Sequence, residues 1–475
     1  MAEKKKGIRE ISPIDVYKLL PRTNCGECDV PNCMAFATRV VNGEAVIDGC
    51  PPILDLRYKD SYDRLRELLA PPVKAITFGA LRTATIGGKY VLQRHEFTYQ
   101  FPPPIAIDIS DDIDPTSIKA RVHEIAGFSY GYIGRTLTLD AVAVRSVTGD
   151  AQRFGSAVKQ VVESTDLPLI LCSHDPEVIK AGLEAVGCKR PLIYAATKEN
   201  WREMADLAVR YDCPVVASAP GDITLLRSLV RTLQACGITE IVLDPGTFGD
   251  EGLAGTVYSF TAIRKAACRD GDPLFGLPII ATPIAVWTGQ ELGEDQNRWQ
   301  EAYTASILMT RYADLLIMHS LEGWTVLPQL IWRFGLYTDP RKPVSVDPGM
   351  RIFGTPGPDA PVLITSNYAL TFFTVESDIK SAKLDCYLIV VETGGLSVEA
   401  AVAGRYLNAE KIAEALRESG IEQKVNHKYV ILPGLAARLS GETEEASGWR
   451  IMVGPRDSSG IGKLIREHWP PKEDR

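Results

Sequence analysis

The sequence has no apolar run long enough to cross a membrane, and MAEKKKGIRE at its start lacks the apolar core of a secretory signal. With a net charge of −8 and a pI near 5.5, it has no excess of positive charge. Nucleic acid is therefore not expected as a main partner. Six of the ten cysteines are dispersed singly, so no disulfide framework is present. These absences predict a cytoplasmic protein with reduced thiols and no membrane partner.

The other four cysteines, Cys25, Cys28, Cys33 and Cys50, form a C-x2-C-x4-C-x16-C pattern. Four thiolates can ligate one [4Fe-4S] cluster, with one sulfur on each iron, and Gly26 lets loop N–H groups turn toward it. Structural zinc also takes four cysteines, but usually as two C-x2-C pairs, and only one such pair is present. The spacing therefore favours iron–sulfur, with zinc and unrelated thiols as the alternatives.

A length of 475 residues is too great for one hydrophobic core, so two to four domains are expected. Ser12, Pro13 and Asp15 predict the start of a short helix before the cysteine loop. Residues 34–41 predict a second short helix after it. We therefore predict that residues 1–62 are a small helical module held together by the metal cluster.

Residues 73–104 carry two apolar runs around Gly87-Gly88, which predict a hairpin. From residue 105 onward, short apolar runs rich in β-branched residues recur, each followed by a helical pattern. The runs do not alternate with polar residues, as is typical of parallel strands that are buried on both faces. Eight βα units predict a (β/α)8 TIM barrel, with the domain at residues 73–336. The eight runs are residues 105–110, 140–147, 168–173, 191–197, 214–219, 240–245, 278–283 and 315–320.

Polar side chains stand at or just past the predicted carboxyl ends of the barrel strands. In a barrel this end forms the ligand-binding face, although polar strand ends also cap loops without taking part in chemistry. We regard His174 and His319 as the best acid/base candidates in this set. The set comprises Asp108, Arg145, Ser173, His174, Asp175, Asp244, Thr282 and His319.

Residues 337–360 are rich in proline and glycine, which predicts a linker and a hinge. Strand and helix patterns alternate over residues 361–475, which predicts an α/β domain with a doubly wound, Rossmann-like open sheet. In such a sheet a ligand lies outside the carboxyl ends of the strands. Three predicted strand ends carry hydroxyl groups or glycines, at residues 365–371, 394–398 and 454–457.

Two ligands suit strand ends of this chemistry, flavin mononucleotide and a corrinoid. A hydroxyl-rich loop could cradle the phosphate of a flavin. Cobalamin domains often supply the lower cobalt ligand from a D-x-H-x-x-G sequence, which this chain lacks. His427 precedes a predicted strand instead of following one. A corrinoid bound here would therefore carry no protein histidine on its cobalt.

The four-cysteine module, the barrel, and the segments TSNYALT and ETGGLSV together resemble the large subunit of the corrinoid/iron–sulfur protein. In methanogenic archaea this is the gamma subunit of the acetyl-CoA decarbonylase/synthase complex, and LPRTNCGEC resembles that branch. The resemblance covers nearly the whole chain. It implies that Cys25, Cys28, Cys33 and Cys50 bind a [4Fe-4S] cluster. It further implies a base-off corrinoid in contact with Thr365, Thr371, Gly395, Leu396, Ser397 and Val398, closed in by the turn near Gly454.

The resemblance also implies a methyl carrier, the corrinoid-dependent component of a methyltransferase. Such a carrier takes a methyl group from methyl-tetrahydrosarcinapterin or methyl-tetrahydrofolate on Co(I) and exchanges it with the nickel site of acetyl-CoA synthase. The cluster returns stalled Co(II) to Co(I), and a smaller barrel subunit covers the other face of the corrinoid in a heterodimer. The alternatives are an iron–sulfur flavoprotein that carries electrons and a scaffold that docks partners.

Overall fold

The computed structural model describes residues 11–93, 101–289, 293–338 and 343–471. The chain divides into two compact units, Met1–Ser129 with Thr138–Tyr337, and Tyr130–Leu137 with Thr338–Arg475. It therefore passes between the units three times. No helix within the described ranges has both the length and the apolar character that crossing a bilayer requires.

The N-terminal module contains three helices, α1 (Pro13–Leu19), α2 (Cys33–Val41) and α3 (Lys59–Leu69). α1 begins as predicted, because Ser12 and Asp15 form a reciprocal capping box. α2 begins one residue earlier than predicted, with Asn32 as its N-cap. The sequence analysis did not anticipate α3, whose buried Leu65 completes the module core. That core also contains Val16, Phe36, Ile53 and the side chains of Cys33 and Cys50.

An antiparallel hairpin, β1 (Ala75–Gly79) and β2 (Thr83–Gly87), precedes the barrel. The predicted turn at Gly87-Gly88 is wrong, because the chain reverses at residues 80–82 and Gly87 ends β2. Part of the predicted second run, residues 94–100, lies outside the described residues. Alternate hairpin residues such as Phe78 and Ile86 pack into the same core as the barrel strands.

All eight predicted barrel strands are present, and they form one parallel sheet. In chain order the elements are β3 (Ile105–Ser110), α4 (Pro115–Gly127), β4 (Ser129–Tyr132), β5 (Arg135–Thr138), β6 (Ala141–Arg145), α5 (Ala151–Ser164), β7 (Leu169–Cys172), α6 (Pro176–Val186), β8 (Leu192–Ala196), α7 (Trp201–Tyr211), β9 (Val215–Ser218), α8 (Ile223–Ala235), β10 (Ile241–Asp244), α9 (Leu253–Cys268), β11 (Ile280–Ala281), α10 (Val286–Gly289), α11 (Glu294–Thr310), β12 (Leu315–Met318) and α12 (Gly323–Tyr337). The strand order is β10-β9-β8-β7-β6-β3-β12-β11. A parallel bridge between Leu243 and Ile279 closes the ring, which confirms the (β/α)8 barrel.

The short loops that follow the strands end in aspartates that cap the next helix. Asp114, Asp150, Asp175 and Asp222 each accept hydrogen bonds from the first-turn N–H groups of α4, α5, α6 and α8. Asp175, one of the eight candidates at the strand ends, therefore has a structural role at this position.

The second unit contains a five-stranded sheet in the order β13-β15-β14-β16-β17. Its elements are β13 (Gly349–Phe353), β14 (Val362–Ser366), α13 (Ala369–Ser381), β15 (Cys386–Val391), α14 (Val398–Ala403), α15 (Ala409–Glu418), β16 (Tyr429–Leu432), α16 (Ser440–Ser447), β17 (Arg450–Val453) and α17 (Ile461–His468). Strands β14 to β17 are parallel, and separate hydrophobic clusters cover the two sheet faces. The doubly wound fold is confirmed.

The segment predicted as a linker, residues 337–360, is not wholly a connection. It contains β13, which pairs antiparallel with β15 along the edge of the sheet. Residues 130–137 also cluster with this unit. Ile133 packs on its core, and Arg135 lies 3.7 Å from Asp347. The domain boundaries at residues 62, 73, 336 and 361 stay a prediction.

Candidate cofactor sites

The first candidate site is the cysteine loop of the N-terminal module. Cys33 is the first residue of α2, and Cys50 caps a short 3-10 turn that begins with Pro51. Both side chains are buried, whereas Cys28 is half-buried and Cys25 is exposed. Burial, together with the charges of the other cysteines, raises the pKa of the Cys28 and Cys50 thiols. The four thiols therefore lie close enough to interact, and a cationic centre between them would favour their ionised form.

The backbone of the loop is shaped by unusual conformations and by one side-chain contact. Gly26 has a φ of +78°, and three non-glycine residues, Arg22, Asn24 and Asp29, also have positive φ. The Asn24 side-chain oxygen accepts a 2.9 Å hydrogen bond from the N–H of Cys33. This bond joins the start of the loop to the start of α2, so the first three cysteines are positioned by one tight turn.

The cysteines do not converge as a single-ion site. Among the described residues, no three His, Cys, Asp or Glu side chains are arranged to hold one metal ion. A zinc ion would need its sulfurs about 2.3 Å from a common centre. A [4Fe-4S] cluster takes each thiolate on a different iron and needs the sulfurs spread around it.

The second candidate site lies at the carboxyl ends of the parallel strands in the C-terminal sheet. The chain runs from β14 to β15 on one side, and then crosses to β16 on the other side of β14. This reversal makes the ends of β14 and β16 the topological switch point, where open α/β sheets bind ligands. Thr365 lies in β14, Gly395 follows β15, and Gly454 follows β17. These three predicted site residues therefore lie at the same end of the sheet, where its parallel strands terminate.

The other predicted residues of this site extend it along the helices. Thr371 is half-buried in the first turn of α13. Ser397 caps α14 as predicted, Leu396 is partly buried, and the side chain of Val398 packs in the hydrophobic core.

Gly395 is held where only glycine fits without strain. Its φ is +74°, and a Cβ placed on it would lie 2.7 Å from the carbonyl oxygen of Pro343. Both observations exclude a larger side chain from this turn. The turn after β15 is thereby packed closely against the backbone of Pro343.

Asn367 organises the site, a role that the sequence analysis did not assign to it. Its side-chain oxygen accepts hydrogen bonds from the N–H groups of Thr393 (3.1 Å) and Gly395 (3.0 Å). Its amide nitrogen donates to Glu392 at 2.9 Å. A single buried side chain thus fixes the loop after β15 to the end of β14.

Gly434 is a second residue that the sequence analysis did not assign to the site. It follows β16, and a Cβ on it would lie 2.7 Å from the carbonyl oxygen of Gly454. The loops after β16 and β17 therefore touch backbone to backbone. The Pro-Gly step directly after a predicted strand could have indicated this glycine as a site residue.

Two buried hydroxyl groups at the end of β14 have no hydrogen-bond partner. They are Oγ1 of Thr365, which is 1% exposed, and Oγ of Ser366, which is fully buried. Burying a hydroxyl without a partner costs on the order of 1–3 kcal/mol. Such groups suit a site whose polar ligand supplies the missing bonds.

The carboxyl end of the barrel brings together three of its predicted candidates. His319 Nδ1 lies 2.5 Å from Oδ1 of Asp108, and Arg145 Nε lies 3.0 Å from Oδ2. Arg121 adds a contact of 3.5 Å to the same carboxylate. Burial acts to raise the pKa of Asp108, but the bond to His319 and the charges of His319 and both arginines hold this pKa below its ordinary value.

A second polar group at this end centres on Asp244. Its carboxylate accepts 2.8 Å hydrogen bonds from the hydroxyls of Tyr194 and Ser218 and a 2.9 Å bond from the N–H of Gly246. Burial raises the pKa of Asp244 despite these bonds, and it raises that of Tyr194 as well. The sequence analysis named Asp244 but neither hydroxyl donor.

The remaining predicted strand-end residues make other contacts. His174 is exposed, with its ring 6.0 Å from that of Tyr194. Ser173 accepts a hydrogen bond from the N–H of Asp175, and the N–H of Thr282 donates to Thr247.

A family model described as the CO dehydrogenase/acetyl-CoA synthase delta subunit matches residues 75–465. The gamma subunit of the acetyl-CoA decarbonylase/synthase complex from Methanothermobacter thermautotrophicus is 44% identical over 95% of this chain and 98% of its own. This chain belongs to that family. Gamma-family subunits from Methanosarcina acetivorans (44%) and Methanosarcina mazei (43%) cover 97% of this chain and 99% of theirs.

Two further matches concern parts of this gamma-family chain. An Fe-S cluster family model matches residues 20–52, which contain all four clustered cysteines, and it supports an iron–sulfur cofactor. A dihydropteroate synthase from Xanthomonas albilineans matches 50% of the chain and 94% of its own, at 19% identity and a TM-score of 0.37. The assignment of the barrel rests on its strand order alone.

Proposed function

We propose that this chain is a cytoplasmic corrinoid/iron–sulfur methyl carrier. It takes a methyl group from a methyl-tetrahydropterin onto Co(I) and exchanges it with the nickel site of acetyl-CoA synthase/decarbonylase. The observation that carries the proposal is the pair of unpartnered buried hydroxyls at the switch point, flanked by glycine loops. Membership of the gamma-subunit family supports it.

The residues at the switch point suit a corrinoid, a wide flat ring with amide groups on its rim. Thr365 and Ser366 would supply hydroxyl groups to that rim, and the loop that Gly395 packs against Pro343 would lie beside the ring. The corrinoid, when bound, supplies a strongly nucleophilic cobalt. Thr371, Leu396, Ser397, Val398 and the turn at Gly454 complete the proposed contact surface.

The proposed base-off state agrees with the positions of the histidines in this unit. His427 lies before β16, at the opposite end of the strand from the switch point. Its Nε2 pairs with the carbonyl of Ala360 at 3.0 Å, and its Nδ1 accepts from the N–H of Tyr429 at 3.1 Å. His468 is exposed near the end of α17. Neither of these two residues is placed to ligate cobalt at the strand ends.

Cys25, Cys28, Cys33 and Cys50 would hold the [4Fe-4S] cluster, which supplies one low-potential electron to rescue oxidised cobalt. The proposed partners are a smaller barrel subunit that covers the corrinoid and the nickel-bearing synthase subunit. Family members are named as subunits of a multi-subunit complex, which supports partners of this kind.

Metal analysis of anaerobically purified protein tests the proposal. We expect about one cobalt and about four iron atoms per chain, with corrinoid absorption bands. Flavin bands without cobalt would instead support an iron–sulfur flavoprotein. Zinc in place of iron would reject the cluster assignment.

A Cys28→Ala variant separates the roles of the two cofactors. The variant should lose most of its iron and the ability to reactivate Co(II), while chemically pre-reduced protein still accepts a methyl group. Cys236→Ala, at an exposed cysteine outside the cluster loop, is the control. Repeated turnover at the wild-type rate by Cys28→Ala would contradict the assigned role.

A further inference from the structure

The proposed methyl transfer leaves a chemical requirement that the two cofactors do not meet. The methyl group is bonded to a ring nitrogen of the donor, and that nitrogen keeps the electron pair of the N–C bond when the methyl leaves. The methyl carbon forms its new bond with an electron pair from cobalt. The nitrogen must therefore gain a proton, because an unprotonated ring nitrogen is a poor leaving group. A positioned acid is needed beside the donor.

The histidines are the first side chains to consider for this acid. Of the six in the chain, His95 lies outside the described residues. His427 has both ring nitrogens engaged with the backbone. His123, His174 and His468 are exposed. His319 differs from these, since it is half-buried, is fixed by a carboxylate and lines a cavity.

Asp108 orients His319 for proton transfer. The carboxylate engages Nδ1, so Nε2 is the ring nitrogen left to meet a ligand. The backbone of His319 is held as well, because its carbonyl accepts a 2.6 Å bond from Arg121 and its N–H donates to the buried Glu301. The ring thus stays fixed, while 36% of its side chain remains accessible.

The cavity beside His319 has a volume of about 300 Å³, which is at the small end of the range for organic ligand sites. The ring of Trp287 forms one wall, with its centroid 4.7 Å from that of His319. Oε2 of Glu322, a further lining residue, is buried and without a hydrogen-bond partner, while Oε1 pairs with Arg298 at 2.8 Å. An aromatic wall, a carboxylate oxygen without a hydrogen-bond partner and an imidazole together suit a planar nitrogen heterocycle with N–H donors.

We propose that this cavity binds the planar heterocycle of the pterin methyl donor, and that His319, fixed by Asp108, gives a proton to its ring nitrogen. The assignment rests on the proposed function. The imidazolium loses one proton to the nitrogen as the N–C bond breaks, and solvent returns that proton through the exposed side of the ring.

The charged groups around His319 define its electrostatic setting. Asp108 and Arg121 contact Nδ1, Arg145 contacts the other oxygen of Asp108, and Glu301 accepts from the backbone N–H. Glu124, Glu294, Arg298 and Glu322 line the cavity. The mixture has no large excess of either charge, as expected for a site that binds a nearly neutral ring.

Binding can be measured without turnover on full-length holoprotein kept as Co(II), which does not accept a methyl group. Calorimetry with methyl-tetrahydrofolate and methyl-tetrahydrosarcinapterin, in buffers of different ionisation enthalpy, counts the protons exchanged on binding. We expect wild type to bind one of the two with proton uptake. His319→Asn keeps a donor for Asp108 but lacks Nε2, so binding should persist within about threefold while the proton uptake disappears. Trp287→Phe should weaken binding, and His123→Asn is the matched control.

Methyl transfer to reduced protein supplies the second readout. Methyl iodide needs no proton, so the rate with the pterin donor relative to methyl iodide isolates the acid step. This ratio should fall about 100-fold in His319→Asn and stay at the wild-type value in His123→Asn. Wild type that accepts methyl iodide but binds neither pterin would overturn the assignment while the proposed function stands. So would unchanged proton uptake and rate ratio in His319→Asn. Protein without cobalt, or inert to methyl iodide, would instead reject the proposed function.

Discussion

The two sets of strand ends differ in the kind of polar group that they present. At the mouth of the barrel the groups are charged and joined to protein partners, as Asp108 is joined to His319 and Arg145. At the carboxyl end of the C-terminal sheet, the buried hydroxyls of Thr365 and Ser366 are neutral and have no partner. Both edges are formed in the same way, from the carboxyl ends of parallel strands.

The difference indicates what each edge is built to do. A partnered carboxylate holds an imidazole in one orientation, which suits proton transfer. An unpartnered buried hydroxyl destabilises the chain until a ligand bonds to it. We therefore interpret the carboxyl end of the C-terminal sheet as a site for a large, permanently bound cofactor. We interpret the carboxyl end of the barrel as a site for a small ligand that binds and leaves.

Replacement of Gly395 should give the largest effect, since it forces the loop after β15 away from the backbone of Pro343 and so distorts the proposed site. A valine there meets a backbone carbonyl at 2.7 Å and must adopt a φ of +74°. We expect Gly395→Val to retain less than about a tenth of the wild-type cobalt, measured by metal analysis, because a clash of this kind costs about 1–3 kcal/mol.

Gly420→Val is the matched control for the backbone strain. Gly420 has a similar φ of +63°, but no atom lies within 4 Å of its Cβ position. Full cobalt occupancy in Gly395→Val would mean that the cofactor does not lie at this edge. Equal loss in both variants would mean that backbone strain alone had unfolded the unit.

Two amide substitutions at the carboxyl end of the barrel should distinguish the contributions of Asp108 and Asp244 to stability. Asp108→Asn leaves Arg145 and Arg121 without their counter-charge, so we expect a loss of about 3 kcal/mol in the free energy of unfolding. Asp244→Asn should change it by less than about 1 kcal/mol, because the hydroxyls of Tyr194 and Ser218 can rotate to accept from the new amide. Chemical denaturation at pH 7 measures both, and equal losses would remove the distinction between the two groups.

The pH dependence of unfolding should differ between these variants in sign. The pKa of Asp108 is lowered in the folded chain, so its stabilisation is present above the ordinary value near 4 and disappears as the pH falls through the lowered pKa. The pKa of Asp244 is raised, so its contribution is full below the ordinary value and disappears as the pH rises through the raised pKa. In a plot of the free energy of unfolding against pH, Asp108→Asn should reduce the change at acid pH. Asp244→Asn should reduce the change at higher pH.

Removing one unpartnered hydroxyl should give the smallest effect, and a diagnostic one. Thr365→Val keeps the shape of the side chain but deletes Oγ1, so the cobalt-free protein should gain about 1 kcal/mol in stability. The same variant should release the corrinoid more readily, as thermal melts and cobalt retention during dialysis would show. A loss of stability without cofactor would mean that the hydroxyl already has a partner in the protein.

Much of the fold could be predicted because its signals are local. Each of the eight apolar runs is short, rich in β-branched residues and followed by a helical period, so each strand can be predicted from its own residues. The capping box of Ser12 and Asp15 works in the same way, because both partners lie within one turn. The four cysteines likewise carry their spacing in the sequence.

The roles that escaped prediction belong to groups that act across the chain. Asn367 fixes a loop 26–28 residues away, through bonds that no local pattern encodes. Gly434 matters because a second loop, at Gly454, touches its backbone. Residues 130–137 read as an ordinary part of the barrel segment, yet they cluster with the C-terminal unit.

The sequence by itself determined the eight βα units, the start of the first helix and the spacing of the cysteine ligands, since backbone preference and side-chain period act over a few residues. Only the tertiary structure decided that Asp108 meets His319 211 residues away, and that the hydroxyl of Thr365 stays unpartnered. Contacts of this kind depend on how distant strands are ordered in a sheet, and sheet order is settled by packing of the whole chain.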